Sequence, residues 1–166
     1  MPLDIPDHHE VFIDANIFVY HFSGPTEYTD ACAQLLQRVE EDRLFAFTST
    51  LVLAETLHRL MIIEATAKLR IGAKVAIHHL KTHPLDVKRL IEHIKVPGKI
   101  HTLGIKILPV NIDDILKSNE IKMEYGLLTN DAITLAVMKR HHLRNIATND
   151  PDFDRVTDLV IWKPIE

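Results

Sequence analysis

Short apolar runs alternate with longer stretches of helical spacing along the whole chain, and that alternation leaves few ways to fold it. Residues 11–13, 44–47, 104–110, 145–148 and 159–162 read as strands. Helical patterns fill residues 16–22, 26–41, about 50–65, 73–81, 85–94, 112–125 and 130–142. Continuously apolar strands of this length read as buried on both faces. Joined by helical crossovers, they predict an α/β fold: a parallel central sheet with helices on both faces. With 166 residues and no Gly/Ser-rich linker, repeat or low-complexity tract, residues 1–166 read as a single domain.

Composition narrows the function classes. Apolar residues at 46% and charged residues at 25% exclude general disorder. No apolar run exceeds four residues, which excludes a membrane-spanning helix. Asp4, Asp7 and Glu10 stand where a secretory signal would be basic and then apolar, so a cytoplasmic location is expected. Cys32 is the single cysteine, which excludes an internal disulfide framework and any Cys-based zinc site.

The net charge of −4 hides an asymmetry. Between positions 66 and 106, nine Lys or Arg face only Asp86 and Glu92, a surplus of seven. Elsewhere ten basic residues face 21 acids. Lys68, Arg70, Lys74, Lys81, Lys88, Arg89 and Lys95 are candidates for a phosphate-binding surface. A solvated helix face, or a docking surface for an acidic partner, reads equally from the same pattern. His79 and His83 have a spacing that zinc can use on a helix, but no third ligand is near in sequence.

Four acids stand out by position. Asp14 follows the first strand directly, at the edge where ligands bind in open parallel sheets. Glu55 interrupts the apolar helix segment 51–57, where an isolated carboxylate would be costly to bury. Asp131 falls in the first turn of a helix, and Asp150 follows the fourth strand. Each has a plain explanation on its own: an Asx turn, an ion pair with Arg59, helix-dipole stabilisation, and a turn before Pro151. Taken jointly, a doubly wound sheet brings all four to one edge. Their mutual repulsion there calls for a cation. All-oxygen ligands favour Mg²⁺ or Mn²⁺ over zinc, with open coordination positions to activate water and hold phosphate oxygens.

The strings Val11-Phe12-Ile13-Asp14-Ala15-Asn16, Ser49-Thr50-Leu51-Val52-Leu53-Ala54-Glu55, Thr129-Asn130-Asp131-Ala132 and Ala147-Thr148-Asn149-Asp150-Pro151-Asp152-Phe153 occur in this order. In order and context they resemble the PIN domain family, across about residues 11–162. The resemblance implies metal-dependent RNA cleavage, as in VapC-type toxins of toxin–antitoxin pairs. It implies that Asp14, Glu55, Asp131 and Asp150 form the catalytic and metal-binding cluster. Asn16 and Thr148 would support them by hydrogen bonds, and Asp152 and Asp154 would lie close by. The partners implied are an RNA substrate, a small antitoxin protein and a second copy in a homodimer or larger homo-oligomer. The chain departs from the compact toxins in a helical insertion at about 65–101.

Two rival functions remain at this level. A phosphohydrolase using a strand-end Asp as covalent nucleophile usually carries a second Asp two residues on, and here that residue is Asn16. A catalytically silent PIN-fold RNA- or protein-binding module would be marked by loss of an acid, and none of the four is missing.

Overall fold

A computed structural model describes residues 3–165. Five parallel strands form one sheet: β1 (Glu10–Ile13), β2 (Phe45–Ser49), β3 (Lys106–Leu108), β4 (Asn145–Ala147) and β5 (Val160–Trp162). Their spatial order is β3-β2-β1-β4-β5. The chain builds outward from β1 to β2 and β3, then returns to the other side of β1 for β4 and β5. The strand order therefore reverses between β1 and β4, and the carboxyl ends of these two strands flank that reversal.

The α/β expectation holds, and β1 shows why. Val11, Phe12 and Ile13 point alternately to opposite faces of the sheet, and all three are fully buried. Both faces of the central strand are thus covered. The helices that cover the sheet are α1 (Ala15–Phe22), α2 (Thr29–Glu40), α3 (Thr50–Leu69), α7 (Ile112–Tyr125) and α8 (Thr129–Arg140). Three more, α4 (Ala73–Thr82), α5 (Pro84–Val87) and α6 (Val96–Thr102), fill the basic stretch between α3 and β3. Among the described residues, no helix is long and apolar enough to cross a membrane.

Helix starts near the sheet edge follow capping chemistry. Ser49 caps α3, its Oγ accepting the Val52 N–H at 3.2 Å. Asn111 and Asp114 close a reciprocal capping box on α7. Asp114 also pairs with Arg140 at 2.8 Å, locking the start of α7 to the end of α8.

The basic stretch departs from the expected helix over 85–94. Only α5 forms, and a 3₁₀ turn at His93–Lys95 then leads into α6. Glu64 on α3 causes the break. Its carboxylate accepts the backbone N–H groups of Ile91, Glu92 and His93, which a continuous helix would have bonded internally. Burial would raise this carboxyl, but hydrogen bonds from Lys68, His93 and those N–H groups hold it down at about 2. The helix expected to stop near residue 65 runs on to Leu69, ending at Arg70 in the left-handed conformation.

The contrast between two phenylalanines tests where stability resides. Phe12 is fully buried and Phe45 is 52% exposed. Phe12→Ala is expected to cost about 3–5 kcal/mol in urea unfolding, and Phe45→Ala less than about 1 kcal/mol. Equal losses would contradict this placement of the core.

Candidate active site

The last buried residue of β1 is followed by a carboxylate that must find donors at the sheet edge. Asp14 caps α1, with Oδ1 accepting the Ala15 N–H at 2.7 Å. Its Oδ2 accepts Asn16 Nδ2 at 2.6 Å and Thr148 Oγ1 at 2.7 Å. Asn16 Nδ2 also reaches Thr148 Oγ1 at 2.9 Å, and Asn16 Oδ1 accepts the Asn149 N–H at 3.1 Å. The Asp150 N–H closes the set on Thr148 Oγ1 at 3.0 Å. Every donor to Asp14 is neutral, so its charge is oriented but not cancelled.

The other acids come from separate elements. Asp150 follows β4 and caps the 3₁₀ turn Pro151–Arg155 through the Asp152 N–H at 2.9 Å. Asp131 lies in the first turn of α8, yet among the described residues its carboxylate has no hydrogen-bond donor. Glu55 corrects an expectation. Its apolar neighbours in sequence suggested burial, but its side chain is 35% exposed, with Arg59 at 3.7 Å. The stripe of α3 that faces the core is Val52, Thr56 and Leu60, all buried, and Glu55 stands beside it.

These four acids feel one another. Burial pushes the Asp14 carboxyl up to about 6, and the charges of Glu55 and Asp150 add to it, against hydrogen bonds from Thr148 and Ala15. Burial, then the charges of Asp150, Asp14, Glu55 and Asp152, push Asp131 up to about 7. Among the described residues, no group of three or more His, Cys, Asp or Glu side chains is arranged so that it could hold a metal ion as it stands. The chemistry of the donor set still suits a hard divalent cation: carboxylate oxygens from four elements, with raised proton affinity at Asp14 and Asp131 and only neutral donors on Asp14.

The remaining candidates separate. Asp152 pairs with Arg155 at 2.7 Å while still raising Asp131. Asp154 is taken by Lys163 at 2.8 Å. His79 and His83 stack with ring centroids 4.1 Å apart, and His79 bonds Asp86 at 2.8 Å, so their spacing serves packing and an ion pair. The sequence reading gave no role to Asn149 and Tyr20, whose Nδ2 and hydroxyl meet at 3.2 Å. Tyr20 lies four residues after Asn16 on α1, which places both on one helix face. That spacing was the available signal.

Residues 11–159 match the sequence profile of the PIN domain. Ribonuclease VapC2 of Methanocaldococcus jannaschii is 29% identical over 155 residues, covering 93% of this chain and 94% of that protein. Ribonuclease VapC6 of the same organism is also 29% identical over 155 residues, covering 92% and 96%. The fold is similar to that of Mycobacterium tuberculosis VapC20, described as a sarcin-ricin loop cleaving toxin. The TM-score is 0.62 at 16% identity, covering 89% of this chain and 95% of the other. Rickettsia felis VapBC2, solved with a promoter DNA fragment, gives a TM-score of 0.59 at 16% identity, covering 93% and 98%.

The raised carboxyls carry a stability consequence. Both Asp14 and Asp131 bind protons more tightly folded than unfolded, since about 6 and about 7 lie above their ordinary value of 3.8. Metal-free stability should therefore fall as pH rises from about 4 to about 7. Asp131→Asn removes one repelling charge. Measured by urea unfolding in EDTA at pH 7.5, it is expected to stabilise by about 1–2 kcal/mol, a figure reduced for partial exposure. A destabilised variant would show that crowded negative charge does not set this energy.

Proposed function

The chain belongs to the PIN domain family, and from that membership we infer that it is an endoribonuclease, dependent on Mg²⁺ or Mn²⁺. In this reading residues 1–166 form one nuclease domain. The observation that carries it is the meeting of Asp14, Glu55, Asp131 and Asp150, from four separate elements, close enough to shift the protonation of Asp14 and Asp131. The two relatives named as ribonucleases, aligned over nearly their whole length, support the same activity.

Asp14, Glu55, Asp131 and Asp150 are the residues that would hold the cation. When bound, it supplies a Lewis acid that activates water and offsets charge on the transferring phosphoryl group. The chain's own contribution is orientation. Asn16, Thr148 and the Ala15 N–H fix both oxygens of Asp14, so the carboxylate needs little rearrangement to act as a ligand. Thr148 couples the ends of β1 and β4 by donating to Asp14 and accepting from Asp150 N–H, which keeps the two acids in register. Arg59, loosely paired with Glu55, tempers the negative field without entering the Asp14 network.

The strand-end-Asp phosphohydrolase fits less well. Asn16 cannot serve as the acid/base that such a mechanism requires, and its amide instead donates to Asp14 Oδ2 at 2.6 Å. A silent binding module fits less well too, because all four acids are retained and two of them, Asp14 and Asp131, have raised proton affinity.

Toxin–antitoxin complexes among similar folds, including one from Klebsiella pneumoniae with a TM-score of 0.54, support the toxin role. An antitoxin partner, an RNA substrate, homodimerisation and a cytoplasmic location complete the proposal.

Asp14→Asn is expected to lower RNA cleavage by more than about 100-fold while the thermal melt stays at or above that of the parent. EDTA should abolish parent cleavage, and Mg²⁺ or Mn²⁺ should restore it. Unimpaired cleavage by the variant, or by the parent in EDTA, would overturn the assignment.

A further inference from the structure

The basic surplus of residues 66–106 is not spent inside the fold. Its acids are consumed locally: Asp86 by His79 and Arg89, and Glu92 by Lys95. Glu64, just outside the stretch, takes Lys68 and His93. Among the described residues, Arg70, Lys74, Lys81, Lys88, Lys99 and Lys106 have no ion-pair partner, and of these Lys99 and Lys106 lie over the rings of Phe22 and Phe47.

On α4 the placement is directional. Lys74, His78 and Lys81 recur at i, i+4 and i+7 on α4, a single helix face. The buried positions of that helix, Ala76 and Leu80, lie on the opposite side and pack it onto α3. At the end of α4, Lys81 and His58 stand at the rim of one otherwise apolar groove of about 210 Å³, lined by Met61, Ile62, Ile77, Leu80 and Val87. His58 is less than one turn along α3 from Glu55, about 5 Å of helix rise. Arg59, at the same level, is itself only loosely held by Glu55 at 3.7 Å. Positive groups thus run from Arg59, beside the acidic residues, to Lys81 and up the outer face of α4 to Lys74.

We propose that this α3–α4 face is a track for the phosphate backbone of RNA, leading into the carboxylate cluster. The proposal rests on the ribonuclease reading. An acidic pocket repels a polyanion, so a substrate strand needs positive charge beside the pocket to dock. The contacts are long, solvated ammonium groups on one helix face, suited to gripping phosphates without reading bases. An acidic protein docking on the same residues is the competing outcome.

The test measures binding separately from cleavage. Affinity for a fluorescent 20-nucleotide oligouridylate is followed by anisotropy in Mg²⁺, across a salt titration, in the Asp14→Asn background. Lys74→Glu with Lys81→Glu is compared with Arg43→Glu plus Arg144→Glu. The control makes the same charge change just before β2 and β4, at the opposite end of the sheet. The track variant is expected to bind at least about tenfold more weakly at low salt. The slope of log K against log salt should flatten by about 1.4, for two lost single-strand phosphate contacts. The control should stay within about twofold of its parent. If the double reversal melts early, Lys74→Gln with Lys81→Gln should give the same loss of slope. Equal behaviour of track and control variants, or no measurable RNA binding by the parent background, overturns the track. RNA binding with the expected loss, but no cleavage by the unmutated chain, would instead sink the ribonuclease reading while the track stands.

Discussion

Two parallel strands end side by side at the point where the sheet changes direction, and Thr148 joins them. Its hydroxyl donates to Asp14 across 134 residues of chain and accepts from Asn16 and the Asp150 N–H. A partly buried strand-end carboxylate needs donors, and the donors available are neutral. Orientation is therefore supplied without neutralisation. That single condition leaves a fixed, negative sheet edge, to which Asp131 and Glu55 add from helices that begin beside it.

Such crowding is costly in the absence of a counterion, because burial and mutual repulsion both favour the protonated forms of Asp14 and Asp131. Packing elsewhere must hold the acids in place. The fully buried β1 residues anchor Asp14, and the Asp114–Arg140 pair with its capping box ties α7 to the α8 that carries Asp131. The site is a local strain that a well-covered central strand can sustain.

Charge is also segregated at larger scale. Acids gather where the strands end, while Lys74 and Lys81, without ion-pair partners among the described residues, stand on one face of α4. Glu64 makes this arrangement possible: by capping three successive N–H groups it breaks the basic stretch into short pieces that fold back on α3.

Much of this could be read from the chain alone. The α/β class follows from strand-length apolar runs alternating with helical spacing, because those periods admit few packings. The four acids were legible because each stands at a strand end or an early helix turn. Hidden were features that depend on residues distant in sequence. The break of the 85–94 helix needs Glu64, more than 20 residues earlier, to intercept backbone donors. The partial exposure of Glu55 depends on which stripe of α3 meets the core, and with apolar residues on both sides of it in sequence the chain does not show which stripe that is. The link from Asn149 to Tyr20 exists only once β4 lies beside β1. Local patterning sets periods and caps through bonds a few residues long, whereas charge coupling and hydrogen bonding across the sheet edge depend on distances that only the packed chain creates.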